Sequence, residues 1–324
     1  MKRRIFSGAR PTGRQHLGNY LGALQNWVSL QDEYDCVYCS VDIHALTSLE
    51  DTSSLQKDIY EMILDWLAAG LDPQKSILFV QSHVPEVMEL HTLLSMVTPL
   101  GWLLRVPTFK EKVKIQPYNV NYGLVGYPVL QTADIVIYKA NVVPVGEDQV
   151  PHIELAREIA RRFNNRFGDT FPEPQAKLTA YPMVLGLDGK EKMSKQLGND
   201  IEIALSAEET IERVMTAVTD PARQYRNDPG HPEVCNIYRL HGYFNPSQLA
   251  DIADQCRSAK IGCVDCKMLL AHKINSALQP FREQRAAFAA KPQYVKDVLV
   301  DGAQRAQAIA RETLSEVKQK MGLI

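Results

Sequence analysis

Hydrophobic positions along the first half of the chain follow two alternating periods. Short runs of β-branched and aromatic residues predict strands at Ile5–Ser7, Cys36–Ile43, Ser76–Gln81 and Val142–Gly146. Between these runs, apolar residues recur at helical spacing. Strand–helix alternation of this kind predicts a parallel sheet with crossover helices, so we expect an α/β fold with a Rossmann-like doubly wound core. The predicted helices cover Leu17–Leu30, Ser53–Gly70, Pro85–Val97, Tyr127–Tyr138 and Gln149–Asn164.

From about residue 187 onwards the strand pattern stops and helical segments follow. Ser206 and Glu209 have the spacing of a capping box, which predicts that a helix begins there. Further along, Asp220-Pro221, Asn245-Pro246 and Lys291-Pro292 break the helical stretches. We expect a Rossmann-like domain over residues 1–187, a smaller all-helical domain over residues 188–294, and a last helix, about residues 295–324, that packs back on the first domain.

Composition and charge narrow the classes of function. The 324 residues contain no apolar run of about 18, so we expect no transmembrane helix. The basic N-terminus is not followed by an apolar segment, so it does not indicate a signal peptide, and a cytoplasmic location is expected. Residues 1–31 hold five Lys or Arg and no acid, and residues 239–324 hold thirteen against eight acids. Basic ends of this kind are compatible with a polyanionic partner.

The turn after the first predicted strand carries the first candidate site. Residues 7–20 read Ser-Gly-Ala-Arg-Pro-Thr-Gly-Arg-Gln-His-Leu-Gly-Asn-Tyr, which places His16, Gly18 and Asn19 at the start of a helix. Free backbone N–H groups and the helix dipole favour anions there, Gly18 lets a nucleotide come close, and His16 and Asn19 can donate to phosphate or ribose oxygens. An ordinary strand–helix turn with a capping Asn explains the same residues.

A lysine-rich loop forms the second candidate site. Residues 189–199 read Gly-Lys-Glu-Lys-Met-Ser-Lys-Gln-Leu-Gly-Asn, with Lys192 and Lys195 three apart between glycines. Two such lysines can close on a phosphate chain and neutralise the charge that develops on departing pyrophosphate. Taken alone, the loop has a simpler explanation, because solvated lysine-rich surface segments are common.

Together, the His-x-Gly-Asn helix start and the Lys-Met-Ser-Lys loop resemble the two signature motifs of class I aminoacyl-tRNA synthetases. Asn19 replaces the second histidine of the first motif, which is frequent in the tryptophanyl members, and Gln196 replaces the final serine of the second. The resemblance implies binding of ATP with Mg²⁺ and a catalytic role for His16, Asn19, Lys112, Lys192 and Lys195. The residues it implies for ATP binding are Arg10, Pro11, Thr12, Gly18, Asn19, Gly146, Glu147, Asp148, Met183, Lys192, Met193, Ser194 and Lys195.

A single carboxylate in an apolar segment indicates which amino acid is activated. Residues 127–138 read Tyr-Pro-Val-Leu-Gln-Thr-Ala-Asp-Ile-Val-Ile-Tyr and resemble the specificity helix of the tryptophanyl family. Asp134 is costly to bury without a donor, and indole N–H is only a donor, so a fixed acceptor distinguishes indole from hydrocarbon rings. A surface acid is the alternative, although the apolar neighbours disfavour exposure. By the same resemblance, tryptophan contacts Phe6, His44, Tyr127, Gln131, Asp134, Val143, Val145 and Gln149.

Residues 142–149, Val-Val-Pro-Val-Gly-Glu-Asp-Gln, resemble the family's Pro-Val-Gly-x-Asp-Gln motif. This resemblance implies that Asp148 binds ribose hydroxyls and that Gly146 allows close approach. Tyrosyl relatives share the Gly-x-Asp-Gln core, whereas the preceding Val-Pro-Val and the Ala-Asp pair at 133–134 favour tryptophan. Lys112 matches a lysine that the family brings to the triphosphate, but Lys110 and Lys114 lie close to it in the sequence.

Four cysteines in the helical part form a C-x20-C-x6-C-x2-C pattern, made by Cys235, Cys256, Cys263 and Cys266. Thiolates are soft ligands that suit an iron–sulfur cluster or zinc, and disulfides are not expected in a cytoplasmic chain. The pattern resembles the cluster loop of some helical DNA-repair glycosylases and the four-cysteine motif of a subset of tryptophanyl synthetases. This resemblance implies a [4Fe–4S] cluster, with zinc or free thiols as alternatives.

Cys36 and Cys39 form a second C-x2-C pair, on a predicted strand. Residues three apart on a strand face opposite ways, so the two are poor co-ligands for one metal. We expect both to be buried thiols.

The resemblance covers nearly the whole chain and implies a two-step reaction. L-tryptophan and ATP form tryptophanyl-adenylate and pyrophosphate, and tryptophan is then transferred to tRNA(Trp), whose anticodon the helical domain reads. The family also implies a homodimer. Two alternatives remain: a tyrosyl-type or small-molecule nucleotidyltransferase, and a non-catalytic iron–sulfur RNA-binding paralogue, against which the intact lysine loop argues.

Overall fold

The computed structural model describes residues 2–115, 117–178 and 183–324. Its strands are β1 (Arg4–Ala9), β2 (Asp35–Ser40), β3 (Ser76–Val80), β4 (Val142–Val145) and β5 (Gln175–Leu178). Within the described residues they form one sheet in the order β3-β2-β1-β4-β5, with every neighbouring pair parallel. The chain starts in the middle of the sheet and extends it in both directions, which confirms the predicted doubly wound fold.

The helices connect these strands and form most of the rest of the chain. In chain order, the α-helices are α1 (Leu17–Asn19), α2 (Gln25–Leu30), α3 (Asp42–Ala45), α4 (Leu55–Ala68), α5 (Glu86–Ser95), α6 (Leu100–Leu103), α7 (Pro107–Ile115), α8 (Tyr122–Val136), α9 (Val150–Phe167), α10 (Ala207–Met215), α11 (Asn236–Phe244), α12 (Leu249–Arg257), α13 (Cys263–Ala289) and α14 (Pro292–Lys320). No helix in the described ranges is long and apolar enough to cross a membrane.

Three features of the sheet and of the first helix differ from the sequence prediction. The strand expected over Cys36–Ile43 ends at Ser40, and α3 begins two residues later, so Ile43 lies on a short helix and not on the strand, as does His44 after it. The predicted first helix contains a π-helical segment, Tyr20–Leu24, between α1 and α2. Strand β5 was not predicted, because its short and mostly exposed sequence, Gln-Ala-Lys-Leu, has no run of buried β-branched residues.

The central strands are buried on both faces, as their continuous apolar runs predict. Every residue of β3 is buried, and so are all but the first of β2. Cys36 and Cys39 are both fully buried in β2, in agreement with the expectation for these two thiols. Burial raises the pKa of each, which keeps both side chains protonated and unreactive.

The last helix, α14, packs directly on β3. A Cβ atom at Gly302 would lie 1.8 Å from the Leu78 carbonyl oxygen, so only glycine allows the helix to approach the strand this closely. Arg305 donates to the carbonyl oxygen of Pro73 at 2.8 Å, and Lys139 pairs with Glu316 at 2.6 Å. The C-terminal helix is therefore part of the α/β unit.

The chain divides into two compact units. Unit 1 contains the described parts of residues 1–13, 25–182 and 290–324, and unit 2 contains the described parts of 14–24 and 183–289. The expected boundary at residue 187 differs from this division by a few residues only. The larger difference is that residues 14–24, which we expected in the Rossmann-like domain, belong to the same unit as the lysine-rich loop.

Unit 2 is built mainly from helices. Ser206 caps α10 through the predicted box: its hydroxyl accepts from the Glu209 N–H at 3.1 Å, and the Glu209 carboxylate accepts from the Ser206 N–H at 2.8 Å. Arg282 of α13 donates to the Thr210 hydroxyl at 2.8 Å, and Asn275 donates to the Ala207 carbonyl at 3.0 Å. The long helix α13 is thereby fixed to the start of α10.

Candidate active site

Asp134 lies on α8 in unit 1 and is 1% exposed, as its apolar neighbours predict. Gln81 Nε2 donates to both carboxylate oxygens at 2.8 Å each, and His44 Nε2 lies 3.1 Å from Oδ2. A carboxylate offers about four lone-pair positions, so these contacts leave Oδ1 able to accept one further hydrogen bond. Asp134 is therefore a fixed acceptor in a dry environment.

The aromatic and aliphatic residues expected around the substrate belong to the same core as Asp134. Phe6 is 3% exposed and stacks on Tyr138 with ring centroids 5.6 Å apart. Since Ile5 pairs with Val142, the next residues, Phe6 and Val143, lie on adjacent strands. Val143 is buried and Val145 packs at the edge of the same cluster.

Tyr127 and Gln131 lie on α8 at helical spacing from Asp134, so the three residues share one face of that helix. Gln131 is half-buried, and Tyr127 is buried. The Tyr127 hydroxyl lies 2.6 Å from Thr108 Oγ1 and 3.0 Å from His152 Nε2. This face of α8 therefore presents an amide and a phenol beside the carboxylate.

His152 connects Tyr127 to the segment that follows β4. Gln149 donates through Nε2 to Asp148 at 2.8 Å, so its Oε1 faces His152 Nδ1 at 2.9 Å. The His152 proton therefore lies on Nδ1, and Nε2 accepts from one of the two hydroxyl groups, Thr108 or Tyr127, while the other hydroxyl donates to that one. Burial first, and then the charge of Lys112, lowers the pKa of His152 to about 4, so the ring is neutral at neutral pH.

Of the three neighbouring lysines, the structure places Lys112 against the candidate pocket. Its Nζ lies 4.0 Å from the centroid of the Tyr127 ring, whereas Lys110 and Lys114 are exposed. Burial, and then the positive charge of Arg10, lowers the pKa of Lys112 to about 8. A half-buried cation next to a second cation gains free energy when an anion binds there.

The other residues of unit 1 expected to contact ATP lie on two loops at the carboxyl ends of β1 and β4. This edge is where nucleotides bind in open parallel sheets. Pro11 is buried, Gly146 is half-buried, and the exposed members of the set are Arg10, Thr12, Glu147 and Asp148.

In unit 2, His16 and Asn19 cap the first helix reciprocally. His16 Nδ1 accepts from the Asn19 N–H at 3.3 Å, and Asn19 Oδ1 accepts from the His16 N–H at 3.2 Å. In the neutral ring the proton is therefore on Nε2, which can donate to a ligand. Burial, followed by the charges of Lys195 and Lys192, lowers the pKa of His16 to about 4.

The lysine loop packs against this helix start. A Cβ atom at Gly18 would lie 3.0 Å from the His16 ring and 3.3 Å from Met193 Cβ, so a side chain at Gly18 would crowd both. Met193 is 2% exposed, whereas Met183 is 59% exposed. Lys195 pairs with Glu202 at 2.9 Å, and Lys192 is exposed. The two motifs that lie far apart in the sequence thus meet within unit 2.

Asn199 determines the shape of the loop. Its Oδ1 accepts from the Ser194 N–H at 2.8 Å, and its Nδ2 donates to Asp188 at 2.7 Å. A Cβ atom at Gly186 would lie 2.2 Å from the Asn199 side chain, so that glycine is required for Asn199 to fit. Asn199 is buried although it follows an exposed lysine-rich segment.

The family model described as "tRNA synthetases class I (W and Y)" matches residues 1–279. The chain belongs to this family. Tryptophan–tRNA ligases of Deinococcus radiodurans and Thermotoga maritima are each 46% identical to this synthetase over 99% of both chains. The structure of tryptophanyl-tRNA synthetase from Campylobacter jejuni, complexed with ADP and tryptophan, matches with a TM-score of 0.89, at 34% identity over 98% of this chain and 99% of the other.

The four cysteines of the C-x20-C-x6-C-x2-C pattern in this synthetase are neighbours in unit 2. Burial first, and then the other cysteines, raises the pKa of the Cys235, Cys256 and Cys266 thiols, that of Cys266 to about 12. Cys263 contributes to all three shifts, so the four thiols lie within electrostatic range of one another. Within the described ranges, no group of three or more His, Cys, Asp or Glu side chains is arranged so that it could hold a metal ion.

Several residues of the synthetase site were not found from the sequence. The sequence does point to Gln81, because it directly follows a fully buried strand and its side-chain amide therefore needs buried hydrogen-bond partners. Thr108 carried no such signal, because its partners Tyr127 and His152 lie 19 and 44 residues away, and the contacts of His152 with these two residues are likewise distant in the sequence. Glu202 and Asn199 were missed because surface acids and amides near lysines are common.

Proposed function

We propose that this synthetase joins L-tryptophan to tRNA(Trp). In the first step the tryptophan carboxylate attacks the α-phosphate of ATP, bound with Mg²⁺, and pyrophosphate leaves. In the second step a terminal ribose hydroxyl of the tRNA attacks the carbonyl of tryptophanyl-adenylate. The protein contributes orientation and charge stabilisation and needs no covalent intermediate.

The observation that carries the proposal is the buried, fixed carboxylate of Asp134. An indole N–H donated to Oδ1 completes the hydrogen bonding of an acceptor that is 1% exposed. Phenylalanine offers no such donor, and a tyrosine hydroxyl does not lie where the indole nitrogen does. A site built to accept a donor rejects analogues that lack it far more strongly than an apolar pocket rejects a size difference.

The polar end of tryptophan is held by Tyr127 and Gln149. Because His152 Nε2 accepts the hydroxyl proton of Tyr127 or Thr108, the Tyr127 oxygen keeps lone pairs for the substrate ammonium. Gln149 Oε1 accepts from His152 and has a second lone pair for the same ammonium. Asp148, exposed beside Gln149, binds the ribose hydroxyls of ATP.

Lysines stabilise the leaving pyrophosphate. Lys192 and Lys195 are the point charges for the departing phosphates, and Lys195 exchanges Glu202 for phosphate oxygens. His16 donates through Nε2 and stays neutral at neutral pH, because its pKa is about 4. Lys112 supplies a further charge from α7.

ATP–pyrophosphate exchange with each aromatic amino acid tests the proposal. We expect exchange with tryptophan only. Exchange driven by tyrosine would assign the chain to the tyrosyl branch. No exchange with any amino acid would contradict the synthetase function and favour an RNA-binding paralogue.

We also propose that the helices of unit 2 recognise the anticodon and that Cys235, Cys256, Cys263 and Cys266 hold a [4Fe–4S] cluster there, with zinc as the alternative. The chemistry of the donor set supports such a group, although among the described residues no three of these side chains already surround a metal position. Cys235, Cys256 and Cys263 raise the pKa of the neighbouring Cys266 thiol, and a cationic centre that takes thiolates removes this repulsion. Cys256 of α12 and Cys263 and Cys266 of α13 would hold the cluster together with Cys235, and the bound group would act as a structural centre.

Metal analysis of anaerobically purified protein tests the cluster. We expect four iron and four sulfide per chain with visible absorbance, as a [4Fe–4S] centre requires. Cys263→Ser should lower the iron content and weaken tRNA charging, with tryptophan activation retained. Stoichiometric zinc without iron would replace the cluster by a zinc site, and neither metal would leave free thiols.

We propose that the homodimer implied by the family forms through unit 1. Met96, Leu100, Leu104 and Tyr122 are 68, 60, 44 and 71% exposed, so this part of the chain offers several large hydrophobic side chains to a second copy. Light scattering measures the mass directly, and a single-chain mass at micromolar concentration would contradict the dimer.

A further inference from the structure

Gln81 is the residue that fixes Asp134. It is fully buried at the end of β3, and its amide has a partner on each side. Oε1 accepts from the backbone N–H groups of Ile43 and His44 at 3.1 and 3.2 Å. Nε2 donates to both oxygens of Asp134 at 2.8 Å.

The orientation of this amide is determined by its partners. Two backbone N–H donors face one side of the Gln81 amide, and a carboxylate faces the other. Rotation of the amide by half a turn would place its NH₂ group against donors and its oxygen against the carboxylate. Gln81 therefore connects the start of α3 to α8 in a single hydrogen-bonding arrangement.

We propose that Gln81 is a positioning residue that sets the selectivity for indole. By holding both oxygens of Asp134, it fixes the carboxylate plane and leaves the remaining acceptor position on Oδ1 for the substrate N–H. The inference rests on the proposed role of Asp134 as the indole acceptor. His44, which Gln81 also holds through its backbone N–H, adds the contact to Oδ2.

The chain contains a matched control for this proposal. Gln31 is also a buried glutamine of unit 1, at 5% exposure. Its amide accepts from the Asp72 N–H at 2.7 Å and donates to the Gly70 carbonyl at 3.1 Å. Gln31 Oε1 also accepts from the hydroxyl of Ser76, the first residue of β3. Gln31 therefore lies at the opposite end of this strand from Gln81. Replacing either glutamine by methionine removes buried hydrogen bonds, but only Gln81 touches Asp134.

The test compares pyrophosphate exchange with tryptophan and with β-(3-benzothienyl)alanine, in which sulfur replaces the indole N–H. Wild-type protein should prefer tryptophan, and Asp134→Ala should abolish that preference. Gln81→Met should lower the preference about tenfold or more, through a higher KM for tryptophan, since an acceptor that is no longer held discriminates less. Gln31→Met should retain the wild-type ratio even if its melting temperature falls.

The possible failures are distinguishable. An unchanged ratio in Gln81→Met, with both substrates weakened equally, would make Gln81 a purely structural residue. A wild-type preference that survives Asp134→Ala would overturn the role of Asp134 and with it this inference. If Gln81→Met does not fold, Gln81→Glu keeps the backbone contacts and opposes Asp134 with like charge, and the same loss of preference is expected.

Discussion

The pocket around Asp134 and the loop around Lys192 and Lys195 differ in how far their charged side chains are buried and in how firmly partners hold them. Asp134 is 1% exposed, and both of its oxygens are held by Gln81. Lys192 is exposed, and the Lys195 side chain is 27% exposed and paired with Glu202 across the loop. One carboxylate is buried and fixed by its partners, whereas the lysines of the other site are partly or fully open to solvent.

This difference follows from what each site must do. Selection between similar rings requires an acceptor that cannot turn to water, because an unpaired buried acceptor costs about 1–3 kcal/mol. Stabilisation of a leaving group requires charge that acts mainly in the transition state, and solvated lysines lose little when they move to it. The comparison predicts that changes in the pocket affect KM and selectivity, whereas changes in the loop affect kcat.

Lys195→Ala should have the largest effect. Loss of one charge on the leaving pyrophosphate should lower kcat for tryptophan activation by about 10²–10³-fold, with the KM for tryptophan nearly unchanged. Pyrophosphate exchange measures both constants. Lys190→Ala, at an exposed position of the same loop, is the control and should stay close to wild type. Weaker binding of both substrates at an intact kcat would contradict the role of Lys195.

Asp134→Asn should change the pocket for the amino acid and act mainly on KM, in contrast to Lys195→Ala. The amide turns a donor towards Gln81 or towards the indole N–H, so kcat/KM for tryptophan should fall by about 10–100-fold, mainly through KM. The KM for ATP should change little. A fall in kcat alone, at constant KM for tryptophan, would show that the carboxylate acts in chemistry and not in selection.

The same contrast explains what could be predicted from the sequence. Asp134 was found because a carboxylate in an apolar helix has few explanations, and the lysines were found because their motif is contiguous. The parallel sheet followed from continuous apolar runs such as β3. The contacts of Gln81 with Asp134 and of His152 with Thr108 and Tyr127 arise only from tertiary packing. The position of residues 14–24 in unit 2 likewise depends on their pairing with residues 201–203. No local pattern encodes such pairing.

Acid should destabilise both units through one histidine each. The pKa values of His152 and His16 are about 4 in the folded chain against 6.5 ordinarily, so the unfolded chain binds more protons between pH 4 and 6.5. Stability is therefore full above pH 6.5 and is lost as pH falls, by about 2 kcal/mol per histidine at pH 5. Thermal unfolding at pH 7 and pH 5 measures this loss.

His152→Gln isolates the contribution of the histidine in unit 1. Glutamine can still donate to Gln149 and accept from Tyr127, but it does not titrate. The variant should lose less of its melting temperature between pH 7 and pH 5 than wild type does, because one titrating group has been removed. An identical pH dependence in the two proteins would show that His152 is not held neutral in the folded state.

The smallest effect is expected for Glu202→Gln, which removes the carboxylate that pairs with Lys195. Partly exposed ion pairs contribute up to about 1 kcal/mol, so ATP should bind up to about fivefold more tightly when Lys195 no longer exchanges partners. Equilibrium dialysis of ATP at low and high salt measures this, and the gain should shrink with salt. Glu191→Gln, an exposed acid of the same loop, is the control. Weaker ATP binding in Glu202→Gln alone would mean that Glu202 aims Lys195 at the phosphates instead of competing with them.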